Sequence, residues 1–244
     1  MVQTDDLSDH EAIQDRRLLY GRNKGHKLRA GQAELVRTLL PRLRLRQSGG
    51  RDWRLDDPAA LFPDVPKPLA GLHLEIGFGG GEHLALRARQ DPQIGFIGCE
   101  PFVNGVAKLL AEIDRQSLAN IRIHDDDARD VIERLPAGCL DRVFLLYPDP
   151  WPKRRHRKRR FLSDETLDAL ARIMKPGAEL RFATDIADYA DRSLRLIARR
   201  ADFAWTARVA EDWRRPWQPW QATRYEQKAI RAGRMPCYLT FRRL

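Results

Sequence analysis

Acidic side chains stand at the ends of four short apolar runs, and a glycine-rich turn follows the first: Glu75-Ile76-Gly77-Phe78-Gly79-Gly80-Gly81. Glycines at a strand-to-helix turn let the backbone bend tightly and approach a ligand at the helix N-terminus. The G-x-G-x-x-G spacing of a pyrophosphate-binding turn fails here, because its last position is Glu82. Glu75 beside the turn opposes a pyrophosphate and suits a ligand carrying positive charge. Glu100 lies 23 residues beyond Gly77, where a carboxylate at the end of the next strand can accept both hydroxyls of a ribose. The third run leads into Asp125-Asp126-Asp127-Ala128. One of these acids can accept from the amino group of an adenine, while the others are solvated or cap the following helix; the sequence period does not choose among them. Three consecutive Asp side chains do not converge on a point, and no His or other acid is spaced to join them, so no metal site is expected. His73, His83 and His124 read as surface or strand-face residues.

An E-x-G-x-G-x-G turn resembles the loop of S-adenosylmethionine enzymes, whose ligand carries a sulfonium and an ammonium and no phosphate. The fourth run ends as Tyr147-Pro148-Asp149-Pro150-Trp151-Pro152 and is followed by Lys153-Arg154-Arg155-His156-Arg157-Lys158-Arg159-Arg160. Asp149 falls at the carboxyl end of a strand, where open α/β sheets bind their ligands. Prolines on both sides stiffen its backbone. Trp151 can stack on a base lifted out of its helix, and the basic run can hold phosphates.

The elements that must position these residues alternate from Gly71 onward. Apolar runs at Leu72–Ile76, Ile94–Gly98, Ile121–Ile123, Val143–Leu146, Glu179–Ala183 and Tyr238–Phe241 read as strands. Helices are expected at Gly81–Arg89, Val103–Gln116, Ala128–Leu135, Asp164–Ile173 and Ala187–Arg200, with Ser163 as an N-cap and Lys175-Pro176-Gly177 as a stop. Strands and helices alternating at this spacing make βαβ units, hence a doubly wound α/β domain with a mostly parallel sheet. The last strands, with an irregular stretch from Trp213 to Trp220 between them, suggest an antiparallel edge. Ahead of the domain, a short helix is expected over Gln32–Leu40, ending at Pro41, and the prolines of Asp56–Pro68 read as a linker. The expected division is an acidic, disordered segment 1–15, a basic arm and Pro-rich linker 16–68, and the catalytic domain 69–244.

The 244 residues carry a net charge of +10, unevenly spread. Residues 16–54 hold twelve Lys and Arg against two acids, residues 55–150 nine against sixteen, and residues 151–160 seven against none. A uniform compositional bias does not give an acidic middle between basic segments, so a polyanion, by default a nucleic acid, is the expected partner. No run reaches the roughly 18 uncharged apolar residues of a membrane span. No basic residue precedes Arg16, and the three cysteines are far apart with no C-x-x-C, so a cytoplasmic protein without disulfides is expected. No obligate protein partner is evident.

Pro148-Asp149-Pro150-Trp151 with Lys153 and the basic run, in order with Ala183-Thr184-Asp185 and Thr223-Arg224-Tyr225-Glu226, resembles the bacterial tRNA (guanine-N7-)-methyltransferase family. Glu75-Ile76-Gly77-Phe78-Gly79 matches its cofactor loop, Asp127-Ala128 its third acid, and Gly21-Arg22 with Gln32 its basic arm. Pro152 stands where His is common, and Arg224 where Lys is common; neither removes a carboxylate. The resemblance implies a Rossmann-like class I methyltransferase with a seven-stranded sheet. It also implies methyl transfer from S-adenosylmethionine to N7 of a guanine in the variable loop of tRNA. By the same resemblance Glu75, Gly77, Gly79, Glu100, Asp127 and Asp149 line the cofactor site, and Asp149 is also catalytic. Lys153, Asp185, Thr223, Arg224, Tyr225 and Glu226 contact the substrate, with Asp185 and Glu226 placed to accept from the guanine N1–H and amino group. Arg155, His156, Arg157, Lys158, Arg159 and Arg160 are the expected RNA contacts.

Three rivals read less well. A methyltransferase for exocyclic amines more usually carries [DN]-P-P-[FY] after its fourth strand. An RNA-binding protein on a degenerate methyltransferase fold would have lost loop acids, and none is lost. A small-molecule methyltransferase has no use for seven basic residues in ten.

Overall fold

The computed structural model describes residues 25–45 and 55–244. Segment 1–15, the start of the basic arm with Gly21 and Arg22, and residues 46–54 lie outside the described residues.

Seven strands form one sheet in the order β3-β2-β1-β4-β5-β7-β6. They are β1 (Gly71–Ile76), β2 (Ile94–Cys99), β3 (Ile121–His124), β4 (Leu140–Leu146), β5 (Met174–Thr184), β6 (Phe203–Trp205) and β7 (Cys237–Arg243). β3 to β5 are parallel; β7 runs antiparallel to β5 on one side and β6 on the other. The antiparallel strand is therefore one place in from the edge, and β6 closes it. β6 has three residues with only Phe203 buried, too short for an alternating pattern to show.

Helices α3 (Glu82–Gln90) and α4 (Val103–Gln116) cover one face of the sheet, packing Leu84, Ala88, Val106 and Leu110 on Phe96, Ile121 and Ile123. On the other face α5 (Ala128–Arg134), α6 (Asp164–Ile173) and α7 (Ala187–Ala198) pack Val131, Leu167, Leu170 and Ile197 on Leu74, Ile97, Val143 and Leu180. Ser163 caps α6 as expected, its hydroxyl accepting from the Thr166 N–H. Met174 enters β5 directly after α6, and Lys175-Pro176-Gly177 bulges out where the β4–β5 register shifts.

The arm is more closely built into the fold than its sequence suggests. Helix α1 (Ala30–Thr38) stops short of Pro41, which instead lies in the first turn of α2 (Leu40–Leu43), where its missing N–H is harmless. Leu40 and Leu43 are buried against α4 and β3, and Leu45, Leu55, Phe62 and Val65 belong to the main core. The Leu45 N–H donates to the Ile123 carbonyl at 2.8 Å. Position 69 is thus no packing boundary among the described residues.

The stretch from Trp213 holds a short helix, α8 (Glu211–Arg214), and later α9 (Arg224–Arg231). α9 is polar in composition but strongly two-faced, with Arg224, Gln227, Lys228 and Arg231 exposed and Glu226 and Ala229 buried; the helices expected from sequence did not include it. Among the described residues no helix is long and apolar enough to cross a membrane.

Candidate active site

β1 has β2 on one side and β4 on the other, so the chain changes direction across the sheet at β1 and a crevice opens beyond the carboxyl ends of these strands. A cavity of about 540 Å³ lies there, lined by Gly77, Gly79, Glu100, Asp127, Asp149, Trp151, Arg224 and Tyr225 among others. That volume is in the range of small-molecule sites, roughly 300–1,000 Å³.

The glycine turn is left-handed at Gly77 and Gly79, with φ of 70° and 58°. A Cβ on Gly77 would meet nothing within 4 Å. Glu100 holds the turn in place: Oε2 accepts from the Gly79 N–H at 2.7 Å and Oε1 from the Phe102 N–H at 2.9 Å. Each carboxylate oxygen keeps a lone pair for a further donor. Burial pushes the Glu100 carboxyl up, the two N–H groups pull it back, and nearby Asp149 and Glu75 add to the rise.

Gly105 of α4 packs against the same turn, and sequence reading passed it over. A Cβ there would stand closer than 3.0 Å to the Gly79 carbonyl oxygen, which is backbone and cannot swing aside. Gly105→Ala is expected to displace the turn at an overpacking cost of about 1–3 kcal/mol. Cofactor affinity, measured by calorimetry, should fall about tenfold while the variant stays folded.

The three aspartates have separate partners. Asp125 pairs with Arg44 of the arm at 2.6 Å, and Asp126 accepts from the Asp127 N–H at 2.9 Å. Asp127 caps α5 through the Arg129 N–H at 3.0 Å and takes the Arg129 guanidinium on both oxygens. Asp126, Asp127 and Arg129 all line the cavity. Glu75 does not. It is buried with Oε2 2.7 Å from Nδ1 of His83, also buried, a contact that joins β1 to the start of α3. His83, read from sequence as a surface or strand-face residue, is this acid's partner; His73 and His124 are buried on strands.

Asp149 lies at the solvent edge of the cavity in a loop bracketed by two left-handed non-glycine residues, Tyr147 (φ 50°) and Trp151 (φ 41°). Each such conformation costs roughly 1–2 kcal/mol, which the surroundings must offset. The Tyr147 N–H donates to Ala183 of β5 at 2.8 Å, and Arg160 holds the other end through the Pro150 carbonyl at 2.7 Å. Desolvation by the adjoining protein raises the Asp149 carboxyl above its ordinary range. The Arg159 guanidinium lies 4.9 Å over the Trp151 ring.

Residues Arg154–Arg159 form a 3₁₀ turn beside the cavity. Lys153, Arg154, Arg155 and Lys158 are exposed, while His156, Arg157 and Arg159 are half-buried. Arg157 pairs with Asp188 at 2.7 Å. Arg160 must be removed from the expected RNA contacts: it is 3% exposed, pairs with Asp188 at 2.5 Å and stacks on Tyr189, so its charge is spent inside.

Of the residues expected at the substrate, Arg224 and Tyr225 line the cavity. Asp185 follows β5 and pairs with Arg234 at 2.5 Å. Thr223 is buried as the N-cap of α9, its hydroxyl accepting from the Glu226 N–H. Glu226 is 3% exposed and accepts from the Trp220 indole N–H at 2.9 Å and from the Tyr238 hydroxyl. Its carboxylate faces aromatic donors, which corrects the expectation that it reads the guanine edge.

A family profile described as "Putative methyltransferase" matches residues 70–238. The tRNA (guanine-N(7)-)-methyltransferase of Bradyrhizobium diazoefficiens is 49% identical over 239 residues, which is 97% of this chain and 98% of that protein. The protein of the same name from Rhizobium meliloti is 51% identical over 224 residues, 92% of this chain and 94% of its own length. The chain belongs to the tRNA (guanine-N(7)-)-methyltransferase family. The crystal structure of TrmN from Thermus thermophilus shares the fold alone, with a TM-score of 0.50 at 15% identity over 76% of this chain and 47% of that one.

Methyltransferases of this family use S-adenosylmethionine, and the cavity of this tRNA (guanine-N(7)-)-methyltransferase family member fits it. Gly77 is open on the side where a Cβ would stand, Glu100 keeps lone pairs for hydroxyl donors, and the wall carries Glu100 and Asp126 together with Asp127, which Arg129 already pairs. Glu100 and the glycine turn are the groups that would hold the cofactor.

Proposed function

We propose that this chain transfers a methyl group from S-adenosylmethionine to N7 of a guanine in the variable loop of tRNA. The observation that carries this reading is the placement of Asp149: it stands on a braced loop at the mouth of the cavity, and the run of exposed cations begins four residues later at Lys153. The names of the relatives identify tRNA and guanine N7 as the acceptor of those proteins, and the basic turn supports the same partner here.

When bound, the cofactor supplies an electrophilic methyl group on a sulfonium. Guanine N7 presents an in-plane lone pair and carries no proton, so no side chain needs to act as a general base. The protein's task is to hold N7 in line at near-attack distance and to keep water out. The purine becomes cationic as N7 is alkylated, and the Asp149 carboxylate, fixed between Pro148 and Pro150, stabilises that charge as it develops. Trp151 offers an aromatic surface for a base drawn out of its stack, and Arg154, Arg155 and Lys158 offer cations to the backbone phosphates. Asp185, held by Arg234, is the acid left to accept from the guanine N1–H and amino group.

Replacing guanosine by 7-deazaguanosine in a tRNA transcript removes the N7 lone pair and leaves the N1–H and amino group untouched. The unsubstituted transcript is expected to take up labelled methyl groups and the substituted one none. Equal labelling of both would exclude N7 as the acceptor.

A further inference from the structure

We propose that α9 closes the cofactor side of the cavity, with Tyr225 covering the glycine turn and the buried Glu226 acting as a positioning residue that holds the helix there. This rests on the reading of the cavity as the S-adenosylmethionine site. It moves Tyr225 from the base-reading surface to the cofactor.

The Tyr225 ring lies over the glycine turn: its edge is 3.1 Å from where a Cβ on Gly79 would stand. The same ring lines the cavity together with Gly77, Glu100 and Asp149, although the residue is 49% exposed. An aromatic ring facing acids across a small cavity gives a cationic ligand one attractive surface on each side. A half-exposed side chain on an eight-residue helix does not hold such a position unaided.

Glu226, next in sequence, supplies the hold. It sits 3% exposed among aromatic residues and accepts from the Trp220 indole N–H and the Tyr238 hydroxyl. Trp220 packs against Tyr238 of β7 at 5.6 Å and against the His83 ring at 5.4 Å. His83 is in turn bonded to Glu75, just before the glycine turn. A continuous set of contacts therefore ties α9 to the strand that carries the turn. Trp220 and Tyr238 are not cavity residues, so they affect the ligand only through the placement of α9.

Titration calorimetry of the full chain with S-adenosylmethionine and with S-adenosylhomocysteine, alongside filter binding of tRNA, tests this. Tyr225→Ala is expected to bind both cofactor forms about tenfold more weakly, and Tyr225→Phe to recover most of the loss. Trp220→Phe and Glu226→Gln should weaken cofactor binding in the same direction, and all four variants should bind tRNA as the wild type does. In steady state the cofactor KM should rise while the tRNA KM stays constant. If the wild type binds cofactor and Tyr225→Ala binds it equally well while its tRNA KM rises, Tyr225 belongs to the base side and the proposal fails. If the wild type itself binds no cofactor, the reading of the cavity fails, and this proposal with it.

Discussion

Asp149→Asn should lower the single-turnover rate of methyl transfer by about 10²–10³, the scale seen when one preorganised electrostatic partner of a transition state is lost. The substitution keeps the size of the side chain and most of its hydrogen-bonding capacity but removes the charge. The loop should survive it, because its shape comes from Pro148, Pro150, the Tyr147 N–H bond to Ala183 and the Arg160 bond to Pro150. tRNA affinity should change little. The pH profile gives a second readout. Desolvation raises the Asp149 carboxyl, so its useful, charged form is lost on acidification at a higher pH than for a free aspartate. The wild-type rate should fall as pH drops into that carboxylate range and stay flat through neutrality, where a general base for N7 would have produced a rise. An Asn variant that methylates at near wild-type speed would remove Asp149 from the mechanism.

Neutralising Arg154, Arg155 and Lys158 together should weaken tRNA binding and flatten its salt dependence. All three are exposed on the 3₁₀ turn beside the cavity. Each lost phosphate contact lowers the log–log salt slope by roughly 0.7–0.9, or about 2–3 for the three. A fourfold rise in salt would then cost the wild type roughly 20–40-fold more affinity than the variant. Arg154 and Arg155 do not line the cavity, so the double variant at these two positions should also leave cofactor affinity unchanged. Arg157 and Arg160 are left out because Asp188 holds both, and removing Arg160 would strip the loop of the group behind Pro150. An unchanged slope would mean that the turn is only a solvated loop.

Much of this site was legible because its signals are local. Glu100 and Asp149 are placed by the ends of apolar strands, and the boundaries of α4 and α6 follow from amphipathic periodicity and, for α6, from the Ser163 cap. What the sequence concealed depends on contacts between distant segments. The pairing of Glu75 with His83 is one such contact, since two residues on adjoining elements give no sign in sequence that they meet. Arg160 belongs by composition to a run of seven cations, and only the fold places Asp188 and Tyr189 around it. α9 has a clear helical period, but it buries a carboxylate where such a helix usually buries leucine, so the sequence does not show that Glu226 is the anchor and that Trp220 and Tyr238 hold it. The arm was misread for a related reason: Leu40, Leu43 and Leu45 are too few to announce a core, yet α4 and β3 complete it for them.

The chemistry attributed to Asp149, the cavity and the basic turn meets at one atom of the substrate, and that atom has a selective reaction. Unmodified tRNA is incubated with the protein and S-adenosylmethionine, reduced with borohydride and treated with aniline, which cuts the chain at 7-methylguanosine. The expected result is a single cleavage, at a guanosine in the variable loop, that depends on both protein and cofactor. Methyl incorporation without aniline cleavage would place the group on another atom and contradict the assignment of guanine N7.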